Sequence, residues 1–100
     1  MQAAIKSLED TKAFNIETIS LSGKTTFADY MVVVSGRSGR HVNAIANNLL
    51  EYLKNIGLKK VVKEGSEKSD WVLIDAGDIL VHIFRPQVRD FYKLEKIWAY

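Results

Sequence analysis

The 100-residue chain has no cysteine, which removes disulfides and thiolate metal sites from consideration and fits a reducing compartment. No window approaches the ~18 consecutive apolar residues of a membrane-spanning helix. The opening Met1-Gln2-Ala3-Ala4-Ile5-Lys6 lacks both the apolar run of a signal peptide and the arginine-rich character of an organelle transit sequence, so a cytoplasmic location is expected. Excess charge is also scarce. Fourteen Lys and Arg against twelve Asp and Glu leave +2, too little to argue for nucleic-acid binding by bulk electrostatics. His41 and His82 are the only histidines, and without cysteine they make a poor metal site unless carboxylates join them. No Gly-x-Ser-x-Gly elbow presents a nucleophile. Repeats, low-complexity segments and linkers are absent as well. What remains, 47% apolar and 26% charged, is the balance of a globular chain, and residues 1–100 are expected to form one domain with a modest core.

The strongest pattern present is Trp71 to Phe84. Trp-Val-Leu-Ile-Asp and Asp-Ile-Leu-Val-His-Ile-Phe are rich in β-formers and flank Ala76-Gly77, which predicts an antiparallel hairpin. A plain two-residue turn there sets Asp75 opposite Asp78, Leu73 opposite Leu80 and Trp71 opposite His82; a bulge at Gly77 would move the pairing by one. Alternation gives an aliphatic face of Val72, Ile74, Ile79, Val81 and Ile83, which must be core. The other face, Trp71, Leu73, Asp75, Asp78, Leu80, His82 and Phe84, mixes apolar and polar groups in a way that suits a partner better than water alone.

Elsewhere the periodicities predict a helix over residues 3–14, with Ala4, Ile5, Leu8 and Lys12 on one side and Asn15 as a left-handed cap. Residues 16–21 alternate as a half-buried strand. Tyr30 to Ser35 is an apolar run suited to a central strand covered on both faces. Ser38 can cap a helix over 41–56, whose buried stripe is Val42, Ile45, Ala46, Leu49, Leu50 and Leu53 and whose end is Gly57. A strand over 58–63 then completes a β-α-β crossover, which leaves its two strands parallel. Pro86, the single proline, opens a last helix with Phe91, Leu94, Glu95 and Trp98 on one side. The expected architecture is α/β, a mixed five-stranded sheet flanked by helices.

The hairpin residues, followed by Arg89-Asp90-Phe91-Tyr92-Lys93-Leu94-Glu95-Lys96-Ile97-Trp98, carry the order W-x-x-x-D-x-G-D-x-x-V-H then R-x-x-Y-x-L-E-x-x-W. Upstream stand Gly23-Lys24-Thr25-Thr26, Asp29, Met31, Gly36, Ser38 and Arg40-His41-Val42. Together these resemble the ribosomal silencing factor (Iojap-related) family from about Asp10 to Trp98. The sequence departs from that pattern at Gly39, where relatives often have a second serine. The resemblance implies a fold related to nucleotidyltransferases without their catalytic motif. It also implies binding to the large ribosomal subunit through ribosomal protein fourteen, exclusion of the small subunit, and lowered translation when nutrients are scarce. Trp71, Asp75, Asp78, Tyr92, Leu94, Glu95 and Trp98 match the motif and are the candidate partner contacts. A homodimer of the free protein also belongs to this reading.

The residues themselves admit other chemistry. Gly23-Lys24-Thr25 invites a P-loop reading, but Thr18 stands where the upstream glycine belongs and a strand follows instead of a helix. Paired metal-binding aspartates of nucleotidyl transfer are spaced Asp-x-Asp after a Gly-Ser pair; here Arg37 follows Gly36, and Asp75 and Asp78 stand three apart. Aspartates at a turn more commonly bond turn amides. Arg37 and Arg40 at the head of the long helix could receive a phosphate, although a solvated charged loop is the simpler reading. Lys59, Lys60 and Lys63 offer a minor contact to ribosomal RNA or merely blunt an edge strand. Trp71, Tyr92 and Trp98 are residue types that anchor interfaces and also pack cores. The expectation is therefore a non-catalytic binding module with no cofactor, no metal and no membrane; a nucleotidyltransferase-like enzyme and an RNA-binding accessory domain are the alternatives.

Overall fold

A run as apolar as Met31-Val32-Val33-Val34 has no face to offer water, and these four residues are buried with at most 1% exposure. They form the middle of β2 (Tyr30–Ser35) in a computed structural model that describes residues 2–21, 29–58, 60–65 and 70–86. The other elements are α1 (Gln2–Asp10), β1 (Phe14–Ser20), α2 (Gly39–Asn55), β3 (Val62–Glu64), β4 (Trp71–Asp75) and β5 (Ile79–Phe84). The sheet order is β1-β2-β5-β4-β3, with β2 and β5 parallel and the other pairs antiparallel. The mixed five-stranded sheet is the architecture expected. Since β5, β4 and β3 alternate in direction, β3 points the same way as β2, as the crossover through α2 requires.

The long helix is fixed at both ends by the residues that predicted it. Ser38 Oγ accepts from the His41 amide at 3.1 Å, satisfying a donor of the first turn. At the far end Gly57 adopts φ +102°, and the Gly57 and Leu58 amides donate to the Lys54 and Leu53 carbonyls. That pair of bonds closes the helix through a left-handed residue. Val42, Ile45, Ala46, Leu49 and Leu53 are buried and Leu50 is half-buried, so the stripe faces the sheet. At Gly36 a Cβ would lie 3.0 Å from Val42 Cγ2 and 3.1 Å from Ile45 Cδ1, so a side chain there would crowd the first turns of α2. His41 ties this corner to α1: Nδ1 accepts from the Arg37 amide at 2.8 Å, which leaves Nε2 to donate to the Thr11 carbonyl at 2.7 Å. The ring is thus a satisfied structural histidine.

Three boundaries differ from expectation. The first helix stops at Asp10, because Lys12 takes the left-handed conformation (φ 64°) while Lys12 and Ala13 donate to the Glu9 and Leu8 carbonyls. Lys12 therefore lies outside the helical stripe, and Asn15 is not the cap. Asn15 is left-handed (φ 51°) for another reason: β1 begins at Phe14, and Asn15 and Ile16 together oppose Val34 in a β-bulge. The third strand is three residues long rather than six, since the Leu58 amide is already committed to the cap of α2.

The hairpin forms, but its turn lies one residue later than Ala76-Gly77. Ala76 donates to the Ile79 carbonyl at 3.0 Å, so Gly77-Asp78 is the two-residue connection. The first turn position takes φ +88°, which glycine tolerates and alanine does not, and this selects Gly77 for it. Trp71 consequently pairs with Phe84, Leu73 with His82 and Asp75 with Leu80, correcting both the plain and the bulged registers. Relative to the plain register the displacement is even, so no side chain changes face.

The two faces are therefore as the alternation predicted. Val72, Ile74, Val81 and Ile83 are fully buried with Val32, Val34 and the apolar sides of α1 and α2, and Ile79 packs half-buried against them. On the opposite face Leu21, Met31, Val33 and Phe84 form a second buried cluster, with Ile19, Trp71 and Leu80 partly buried beside it. The expected last helix beyond Pro86, and the Gly23-Lys24-Thr25-Thr26 stretch, lie outside the described residues.

Candidate docking surface

Strand register assembles the second face into rows. One row crosses the sheet as Glu17, Val33, His82, Leu73 and Glu64; another runs Ile19, Met31, Leu80, Asp75 and Val62. Over β2 these positions are closed to solvent, whereas Leu73, Asp75, Leu80 and His82 on β4 and β5 are half-buried and Glu64 and Val62 on the edge are exposed. The surface grades from a sealed centre to an accessible border.

Trp71, His82 and Phe84 form a three-ring cluster there. Trp71 and Phe84 are direct cross-strand partners with ring centroids 4.8 Å apart and a tilt of 43°. His82 lies two residues before Phe84 and stacks on it almost parallel, at 5.8 Å and 5°. The Trp71 indole Nε1–H donates to His82 Nδ1 at 3.1 Å. A neutral imidazole accepting at Nδ1 carries its proton on Nε2. Burial favours this neutral form and lowers the His82 pKa from 6.5 to about 4. Beside the rings is an open depression of about 230 Å³ lined by Glu64, Gly65, Trp71, Leu73 and His82. Gly65 has φ +121°, and a Cβ there would meet the Trp71 carbonyl oxygen at 3.0 Å, so glycine lets the chain leaving β3 pass close to β4.

The acidic candidates play different parts. Asp75 Oδ1 accepts the Gly77 amide at 2.9 Å, bracing the turn as an aspartate at such a position commonly does. Asp78 is exposed, and its carbonyl accepts the Asp29 and Tyr30 amides, joining the hairpin turn to the start of β2. Among the described residues no three His, Asp or Glu side chains gather to hold a metal ion. Lys63 lies on the edge strand, as the sequence suggested, but its Nζ donates to Asn47 Oδ1 at 2.8 Å. Arg37 and Arg40 are exposed at the head of α2.

Of the seven sequence-derived contacts, the structure brings Trp71 and Asp75 onto one face and places Asp78 in the adjoining turn. Tyr92, Leu94, Glu95 and Trp98 lie outside the described residues. Sequence reasoning missed the bond from Trp71 to His82. The mixed face holds both residues in either register, opposite each other across a plain two-residue turn and diagonal in the observed one; the signal that finds the bond is an indole donor beside an imidazole acceptor on one face.

The class defined by this fold and surface is a small α/β domain with its described helices on one face of a mixed sheet and a graded aromatic and acidic surface on the other. A family model described as "Ribosomal silencing factor during starvation" matches residues 1–100, and the chain belongs to that family. It is 50% identical over 94 residues to the ribosomal silencing factor of Zymomonas mobilis, spanning 94% of this chain and 71% of the relative. A crystal structure of a Chromobacterium violaceum protein superposes with a TM-score of 0.93 at 42% identity, covering 97% of this chain and 81% of that one. The mouse protein named "Mitochondrial assembly of ribosomal large subunit protein 1" is 31% identical over 98 residues, covering 95% of this chain and 43% of its own length. No described helix is long and apolar enough to cross a membrane.

Proposed function

We propose that the protein represses translation by binding the large ribosomal subunit through ribosomal protein fourteen and sterically blocking the small subunit. The observation that carries this reading is the family match over residues 1–100. The large subunit named in the mouse relative is in keeping with it. Physically the mechanism asks for a surface and no reaction: an occupied patch on one subunit leaves no room for the other. The half-buried border of the mixed face suits that task, because Trp71 supplies area at small rotamer cost while Asp75 and Glu64 supply direction. Tyr92, Leu94, Glu95 and Trp98 complete the proposed contact set on the motif alone, with Asp78 at the turn. The protein acts as a cytoplasmic, non-enzymatic factor in this reading, dimeric when free, with ribosomal RNA touched at most through the cluster of Lys59, Lys60 and Lys63.

Co-sedimentation tests the proposal. The protein should travel with isolated large subunits and not with small ones, and pre-bound large subunits should fail to join small subunits. A pull-down with purified ribosomal protein fourteen should reproduce the binding, with only a gentle dependence on ionic strength. Binding to small subunits, or a steep salt dependence reflecting several released counterions, would favour an RNA-binding domain instead.

A further inference from the structure

We propose that His82 is a positioning residue for docking: by accepting the Trp71 indole N–H it fixes the direction in which that indole meets the partner. The inference rests on the docking reading above and adds a residue outside the motif-derived contact set.

The support runs outward from the core in steps. Phe84 is fully buried and cannot rearrange without disturbing the second apolar cluster. His82 stacks on Phe84 within 5° of parallel, so its ring plane is set by a fixed neighbour. With that plane set, Nδ1 faces β4 and accepts a hydrogen bond from the indole N–H at 3.1 Å. Trp71 itself is partly buried at the start of β4, where ring packing on Phe84 is a contact that does not by itself set the direction of the indole N–H. A bond from a half-buried donor to a largely desolvated acceptor supplies that direction, and leaving the donor unmet would cost part of its desolvation.

The acceptor works only while the ring is neutral. Protonated Nδ1 would present a second N–H to the indole N–H, and the bond would be lost. The immediate neighbours keep the ring neutral: Val33 on β2 and Leu73 on β4 pair with His82 on either side. Among the described residues, the charged groups on this face are Glu64 on β3, which lines the same depression, Asp75 on β4, and Glu17 on β1 beyond Val33. None of these carboxylates accepts a hydrogen bond from the ring, and burial lowers the imidazole pKa to about 4. The bond therefore persists through neutral and mildly acidic conditions.

The test compares His82→Leu, which keeps bulk but removes the acceptor, with His82→Gln, whose amide oxygen can accept again, and with Trp71→Ala. Binding of the full chain to purified large subunits should weaken roughly tenfold in His82→Leu and recover most of that loss in His82→Gln. In the free protein the Trp71 indole N–H resonance, assigned by its absence from Trp71→Phe, should move in His82→Leu. In the wild type it should titrate with a midpoint of about 4. Full-strength binding by a folded His82→Leu alongside a failing Trp71→Ala would overturn the positioning role and leave the docking reading standing. An indole resonance unaffected by His82→Leu and by acid would overturn it without reference to any partner. If Trp71→Ala itself binds at full strength, the docking reading falls and the positioning role falls with it. Should His82→Leu not fold, the His82→Gln binding and the wild-type titration decide the matter.

Discussion

The two faces of the central hairpin share a backbone and differ in almost everything else. One presents Val72, Ile74, Val81 and Ile83 to the helices, fully buried and without a polar atom among the side chains. The other presents Trp71, Leu73, Asp75, Leu80 and His82, half-buried around the fully buried Phe84, with an indole-to-imidazole bond added to the apolar contact. The first has the composition of a face selected for cohesion, since nothing there recognises any shape but its own complement. The second carries directional groups that a stable core does not need. The apolar contacts to the helices and the directional side chains thus alternate residue by residue along each strand.

The largest expected break in that comparison comes from the helix-facing side. Ile74→Ala removes a fully buried side chain between α2 and the sheet and should lower unfolding stability by about 4 kcal/mol, read from urea denaturation at neutral pH. A loss under 1 kcal/mol, on the order of a surface substitution, would mean that this face is less tightly packed than its burial implies.

Acid probes the other side next. Because burial lowers His82 to about 4 from 6.5, the unfolded chain takes up a proton first as pH falls. The stabilisation is complete above about pH 6.5, declines through that window and is gone below about pH 4. The full change amounts to about 3 kcal/mol. Urea midpoints across this range should fall for the wild type and fall less for His82→Gln. Equal slopes for both proteins would show that His82 is not desolvated.

Smaller still is the turn. Asp75→Ala removes the acceptor of the Gly77 amide and should cost about 1 kcal/mol, without altering the strand register seen in backbone nuclear Overhauser contacts. A changed register would show that Asp75, and not the left-handed preference of Gly77, chooses the turn.

Much of this arrangement was legible in the sequence. The unbroken Tyr30-to-Val34 run announced a central strand, the i, i+3, i+4 stripe from Val42 to Leu53 announced α2, and Ser38 and Gly57 marked its ends. Faces were readable because side-chain direction depends only on period two, which survived even a wrong register. The register itself was not readable in the same way: Ala-Gly and Gly-Asp are adjacent candidate turns, and the choice follows from which position must adopt positive φ. Lys12 and Asn15 were missed for a related reason, since left-handed residues other than glycine are held by surrounding hydrogen bonds and not by their own preference. The Trp71–His82 bond was within reach of either register, since both set the two residues on one face at cross-strand or diagonal distance; matching an indole donor to an imidazole acceptor is what finds it. The family resemblance, by contrast, rested on ordered motif pieces along the chain and did not depend on any of these local geometries.

Whether the mixed face docks while the aliphatic face folds is decided by titrating isolated large subunits with Trp71→Ala. Truncating a buried interface aromatic typically costs about 2 kcal/mol, so affinity should fall roughly thirty-fold. The variant's melting temperature should stay close to that of the wild type, because the aliphatic face of the hairpin is untouched. Wild-type affinity in a well-folded Trp71→Ala protein would contradict the claim, and so would lost binding accompanied by a collapsed melting temperature, which would make Trp71 part of the core.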